Sequence, residues 1–113
     1  MSRLSEAECQ RRVILVARRA GWLVHHQRPA INKSGKWSSA IQGDVGFPDL
    51  VLVHERREIL LFVELKRKPA KLSDGQVAWQ NAIENVGQWH EIWWVPEELE
   101  ERLEWLTSGY RRG

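Results

Sequence analysis

Gly46-Phe47-Pro48-Asp49-Leu50-Val51-Leu52-Val53, followed by His54-Glu55-Arg56-Arg57 and then by Ile59-Leu60-Leu61-Phe62-Val63-Glu64-Leu65-Lys66, is the stretch on which the fold turns. Two short apolar runs separated by a polar, charged segment predict buried neighbouring strands joined by a turn. Side chains alternate across a strand, so Glu64 and Lys66 share one face. Leu65 points the other way but leaves its carbonyl oxygen near both. An antiparallel hairpin of this length brings Asp49, at the start of the first strand, beside Glu64, at the end of the second. Asp49, Glu64 and the Leu65 carbonyl then converge as hard oxygen ligands of the kind Mg²⁺ or Mn²⁺ prefers, with Lys66 in reach of an attacking water or a scissile phosphate. Alone, an aspartate after Pro48 reads as an ordinary surface turn. Paired with a glutamate and a lysine that close a buried strand, it reads as a site, because charges at such a position need a reason.

A chain of 113 residues has the size of one domain, residues 1–113. The formal net charge of +2 permits nucleic-acid binding without demanding it. The distribution is more informative. Arg11, Arg12, Arg18 and Arg19 fall in the first predicted helix, and Lys66, Arg67, Lys68 and Lys71 follow the Glu-Leu-Lys motif. Arg111 and Arg112 end the chain, whereas acids concentrate between Glu97 and Glu104. Cys9 has no partner for an internal disulfide, the N terminus has no secretory pattern, and no apolar stretch approaches the roughly 20 residues of a membrane helix, so a cytoplasmic protein is expected. Of the seven tryptophans, Trp79, Trp93, Trp94 and Trp105 are expected to fill a small core, some of them being alternatively a dimer surface.

Ser5-Glu6-Ala7-Glu8 has the form of a capping box, with Leu4 and Cys9 as its staple, and predicts a helix to about Ala20. The apolar face of that helix carries Cys9, Val13, Val16, Ala17 and Ala20; Glu6 lies close to it and Glu8 well away. Gly21 is the expected stop, and Trp22–His26 a short strand. Residues 27–47 show no sustained periodicity and have a loop's composition, with room for a hairpin. Loops this long are usually functional or disordered. Arg28, Lys33 and Lys36 supply cations for phosphate there, and Trp37 an aromatic ring. Ser73-Asp74-Gly75-Gln76 forms a second capping box opening a helix to about Val86, and Gly87 ends it. His90–Val95 is a further strand, and a last helix beginning at Pro96-Glu97-Glu98 packs through Leu99, Leu103 and Leu106. The order α-β-(loop)-β-β-α-β-α indicates an α/β sandwich, a mixed central sheet flanked by helices. His25, His26, His54 and His90 do not have zinc spacing; His26 reads as a structural strand-end histidine.

Gly46-Phe47-Pro48-Asp49-Leu50 with Glu64-Leu65-Lys66 resembles the PD-(D/E)XK nuclease superfamily, and within it the VRR-NUC domains. The likeness extends over Ser5–Trp22, His26–Ala30 and Leu72–Gln76. It implies a restriction-endonuclease-like fold, dependence on Mg²⁺ or Mn²⁺ with no organic cofactor, and hydrolysis of DNA phosphodiesters. Asp49, Glu64 and the Leu65 carbonyl would be metal ligands. Glu6 corresponds to the first-helix acid that binds metal directly or through water, with Glu8 as the alternative that the capping box otherwise explains. Lys66 would orient or deprotonate the attacking water. Gln76 resembles the family glutamine near the phosphate or the lysine, although the capping box accounts for it equally well. Lys68 and Lys71 would bind DNA backbone, or else belong to a solvated charge run. Stand-alone phage and prophage members are similar to homodimeric Holliday junction resolvases, so four-way junction DNA is the expected partner and a bacterial cytoplasm the expected setting, without a membrane. The alternatives are a flap, 5′-end or non-specific nuclease of the same chemistry, a restriction-system subunit, and a non-catalytic DNA-binding module on a nuclease fold.

Overall fold

The computed structural model describes residues 3–27 and 43–109 together with the backbone of residues 30–31 and 37–38. In chain order the elements are α1 (Glu6–Arg19), β1 (Leu23–His26), β2 (Ala30–Ile31), β3 (Trp37–Ser38), β4 (Leu50–His54), β5 (Ile59–Lys66), α2 (Asp74–Asn85), β6 (Trp89–Trp94) and α3 (Leu99–Thr107). Both predicted capping boxes form. Ser5 Oγ accepts the Glu8 N–H at 3.1 Å while Glu8 Oε1 accepts that of Ser5 at 3.0 Å, and Ser73 with Gln76 repeats the exchange at the start of α2. The chain leaves α1 through Gly21, whose φ of +94° a side chain would oppose.

The main sheet runs β1-β4-β5-β6. The β1/β4 and β4/β5 pairs are antiparallel and β5/β6 is parallel, the last made by the crossover through α2. The expected hairpin is in register, Leu50 opposite Val63 and Leu52 opposite Leu61. A separate antiparallel pair, β2 with β3, lies inside the predicted loop. Alternation along β5 divides the molecule into layers. Ile59, Leu61, Val63 and Leu65 face a core built with Cys9, Val13 and Ala17 of α1 and Leu99, Leu103 and Leu106 of α3. Phe62 and Glu64 face the other side, where Phe47 meets Phe62 edge to face at 6.1 Å and Trp79 of α2 at 4.9 Å. Three helices flanking one mixed sheet are the expected α/β sandwich.

The tryptophans are distributed differently from expectation. Among the described residues Trp93 and Trp22 are the fully buried tryptophans, at 0% and 3% exposure, whereas Trp79, Trp94 and Trp105 are half-buried. Trp94 and Trp79 lie on the α2 side of the sheet, which is covered by one helix instead of two. The last helix also starts later than expected. Pro96–Glu98 is a turn in which the Glu98 carboxylate accepts the Trp94 N–H at 3.1 Å, and α3 begins at Leu99.

At the end of the sheet away from Asp49, the polar turn is tied into the fold. The Arg57 guanidinium sits between the rings of Trp22 and Trp105, at 4.9 and 4.8 Å, and donates to the Leu106 carbonyl at 2.9 Å. Trp22 Nε1 donates to the same oxygen at 2.9 Å. Arg57 therefore satisfies the carbonyls at the C terminus of α3, where a cation also meets the negative end of the helix dipole. His54 does the same for α1. Its Nδ1 accepts the Arg57 N–H, which leaves Nε2 to donate to the Ala20 carbonyl at 2.9 Å.

Candidate active site

Asp49 stands one residue before β4 and Glu64 two residues before the end of β5. The ladder that pairs Leu50 with Val63 places them opposite one another when continued by one step. Backbone amides hold both carboxylates. Asp49 Oδ2 accepts the Leu65 N–H at 2.8 Å, and Glu64 Oε2 accepts the Asp49 N–H at 3.2 Å. A further step of the same register sets Pro48 opposite Leu65. Proline has no N–H to give the Leu65 carbonyl, so the sequence that opens β4 also releases a backbone oxygen next to the two acids.

Gln76 completes the arrangement from α2. Its Oε1 accepts the Ser73 N–H at 2.9 Å and its Nε2 donates to Glu64 Oε1 at 2.6 Å. The two sequence readings of this residue, cap and site, are thus the two ends of one amide. α2 is brought this close by a contact between backbones. A Cβ on Gly46 would lie 2.3 Å from the Gly75 carbonyl carbon, and one on Gly75 would lie 2.7 Å from the Val45 oxygen. The charges of the motif are legible in the sequence, but the requirement for Gly46 and Gly75 is not. The only hint was a glycine at each side of a future contact, which no local spacing reveals.

Electrostatics mark both carboxyls as perturbed, chiefly by burial. Burial pushes the Glu64 carboxyl up to about 8, the Asp49 charge adds to the rise, and the Asp49 N–H and Lys66 oppose it. Asp49 is raised as well, by burial first, against the pull of the Leu65 N–H. Lys66 is half-buried on the same face of β5 as Glu64, and its charge acts on both acids. Glu6 also acts on both, raising them, from the first turn of α1. That turn is anchored near the end of β5, where Arg67 donates to the Leu4 carbonyl at 3.4 Å. Glu6 is exposed, however, rather than turned into the packed face, and among the described residues no three His, Cys, Asp or Glu side chains gather at metal-holding distance. Glu8 is engaged in its capping box, which lowers its carboxyl. Lys68 and Lys71 are exposed just beyond β5. Arg28, Lys33 and Lys36 lie outside the described residues, as do the side chain of Trp37 and the tail arginines.

Two carboxylates raised by burial, Glu64 also by the Asp49 charge, beside a carbonyl that the ladder does not use, have the chemistry of a divalent-cation site. A hard cation would offset the burial and repulsion that otherwise hold a proton on Glu64.

The VRR-NUC domain model matches residues 6–92, which span α1, the Asp49 and Glu64-Leu65-Lys66 motif, α2 and most of β6. The chain belongs to the VRR-NUC domain family. A solved structure titled "VRR_NUC domain" has the same fold, with a TM-score of 0.61 at 20% identity over 88% of this chain and 94% of that one. Among curated proteins none matches. As a VRR-NUC domain the chain is a nuclease domain, and DNA is the substrate that such a domain implies. No helix among the described residues is long and apolar enough to cross a membrane.

Proposed function

We propose that this VRR-NUC domain is a Mg²⁺- or Mn²⁺-dependent, structure-selective DNA endonuclease acting as a homodimeric Holliday junction resolvase. The observation that carries the chemistry is the opposed pair Asp49 and Glu64, held by backbone amides with Lys66 on the same face. A divalent cation bound there would neutralise both carboxylates and polarise the phosphodiester. Asp49, Glu64 and the Leu65 carbonyl are the groups that would hold it. Glu6, exposed at the rim, would take part through water. Lys66 orients or deprotonates the attacking water and stabilises the charge growing on the phosphorus. Gln76 keeps Glu64 in place. Lys68 and Lys71, with Arg28, Lys33 and Lys36, would meet the DNA backbone.

A two-fold dimer would present one site to each of the two symmetric strands of a junction, each making one nick. The family resemblance to phage and prophage proteins supports this finer reading and, with it, a bacterial cytoplasm as the setting.

The test is cleavage of a labelled four-way junction beside a matched linear duplex, with Mg²⁺, Mn²⁺ or EDTA, comparing the natural chain with Lys66→Ala. Paired nicks on the junction that require metal and Lys66 are expected. Cutting of flap or linear DNA alone would remove the junction and retain the nuclease. Tight binding without cutting under any condition would replace both with a binding module.

A further inference from the structure

A groove of about 450 Å³ opens between the Asp44–Val45 segment and α2. Its lining is Asp44, Val45, Gly75, Ala78, Trp79 and Ala82. Trp79 is fixed on two sides, by its edge-to-face contact with Phe47 at 4.9 Å and by donation from Nε1 to the Asp44 carbonyl at 3.3 Å. Ala78 and Ala82, four residues apart, share one side of the helix, and their small side chains keep the groove open. Small-molecule sites run from roughly 300 to 1,000 Å³, so the space suits a ring system of nucleotide size.

Position and charge narrow the occupant. Gly75, in the groove wall, packs on Gly46 and immediately precedes Gln76, which holds Glu64. Val45 leads through Gly46-Phe47-Pro48 to Asp49. Two backbone segments of the groove wall therefore lead directly into the reacting centre. Asp44 lines this largely apolar slot, and its negative charge disfavours a phosphate there. The slot favours a flat, uncharged ring whose amino groups can donate to a carboxylate, as cytosine does through N4.

We infer that the groove receives one unstacked, amino-bearing nucleobase of the strand being cut, packed against Trp79 with its exocyclic N–H donating to Asp44. This rests on the DNA-cleaving reading above and adds the form of the substrate: an unpaired nucleotide close to the scissile phosphate. Enzymes that need a nucleotide outside the stack offer it this combination of aromatic surface and edge acceptor.

The test is binding in EDTA, and cleavage in Mg²⁺, of four-way junction and flapped-duplex DNA carrying one abasic residue at successive positions around the branch. The natural chain is compared with Asp44→Asn and with a filled-groove variant, Ala78→Leu with Ala82→Leu, on an exposed helix face. In the natural chain, base removal at one position is expected to weaken binding roughly tenfold. Thymine placed there weakens it in the same direction, less so in Asp44→Asn. The filled-groove variant is expected to lose the same factor on intact DNA and nothing more at that abasic position. A flat scan in the natural chain, or a filled-groove variant with the natural affinity and scan, overturns the inference while cleavage leaves the nuclease reading intact. A filled-groove variant that changes the oligomeric state and not the scan also overturns it, making the groove a contact between chains. Neither cleavage nor binding of any DNA overturns both readings together.

Discussion

Asp49 and Glu64 are each fastened to the other's strand: the Asp49 N–H donates to Glu64 Oε2 at 3.2 Å, and the N–H next to Glu64, that of Leu65, donates to Asp49 Oδ2 at 2.8 Å. The β4/β5 ladder is continued by side chains at the point where Pro48 can no longer continue it. Two acids that repel one another are kept side by side by the same amides that would otherwise have been left unpaired. The site is built into the hairpin itself.

Stability should depend on pH in a direction set by Glu64. Its carboxyl stands at about 8 in the fold against an ordinary 4.5. A group raised in this way contributes fully below its unfolded value, and the contribution is lost as pH rises through the folded one. In EDTA, thermal stability is therefore expected to decline from pH 4.5 towards 8, with a slope of at most about 1.4 kcal/mol per pH unit from this group. Mg²⁺ competes with the proton, so the stabilisation it gives should grow over the same window. Thermal melts of the natural chain and Glu64→Gln would decide: an unchanged slope in the variant removes Glu64 as the cause.

Replacement of Lys66 by alanine is expected to reduce cleavage by roughly 10²- to 10⁴-fold, with DNA affinity nearly unchanged. Single-turnover cleavage and EDTA binding titrations separate the two effects. A loss of binding that accounts for the loss of rate would make Lys66 a phosphate contact only.

Gln76 joins a helix cap to a reacting carboxylate, and two substitutions separate these roles. Gln76→Ala removes the side-chain acceptor for the Ser73 N–H and should cost about 1 kcal/mol of stability. Gln76→Glu keeps that acceptor but sets a carboxylate against Glu64, so Glu64 is expected to hold its proton to higher pH. The acid limb of the pH–rate profile should move upward in Gln76→Glu by a readable fraction of a unit. An unmoved profile would confine Gln76 to the cap.

Arg57 should matter for folding and not for chemistry. It is 4% exposed, lies between two indoles and donates to the end of α3, at the end of the sheet away from Asp49. Arg57→Ala removes a buried donor from the Leu106 carbonyl, which keeps Trp22 Nε1, and opens space between Trp22 and Trp105, for which about 3 kcal/mol of destabilisation is expected. Below its melting temperature the variant should cleave at the natural rate. Denaturant melts with cleavage assays check this, and a stable protein with impaired cleavage would contradict it.

Much of the framework was legible because it is written in local terms. Apolar runs of strand length, glycine stops and two capping boxes give α1, α2 and the strands their limits, and alternation alone puts Glu64 and Lys66 on one face. Less was legible where distance in sequence mattered. Arg57, in a polar turn, looks solvated, yet its partners are Trp22, Trp105 and Leu106. Glu6 sits on the correct side of α1 by angle but remains exposed, because helical phase does not say how far a side chain stands from the sheet.

The sequence by itself therefore determined the hairpin, the layers and the pairing of Asp49 with Glu64, since these follow from the period of a strand and the length of a turn. Only the tertiary structure decided that Gln76 reaches Glu64, that Gly46 must meet Gly75 without a side chain between them, and that Trp79 leaves a groove open along α2. Those features depend on how closely α2 settles on the sheet. That distance is set by the packing of residues far apart in the chain, which no local pattern encodes.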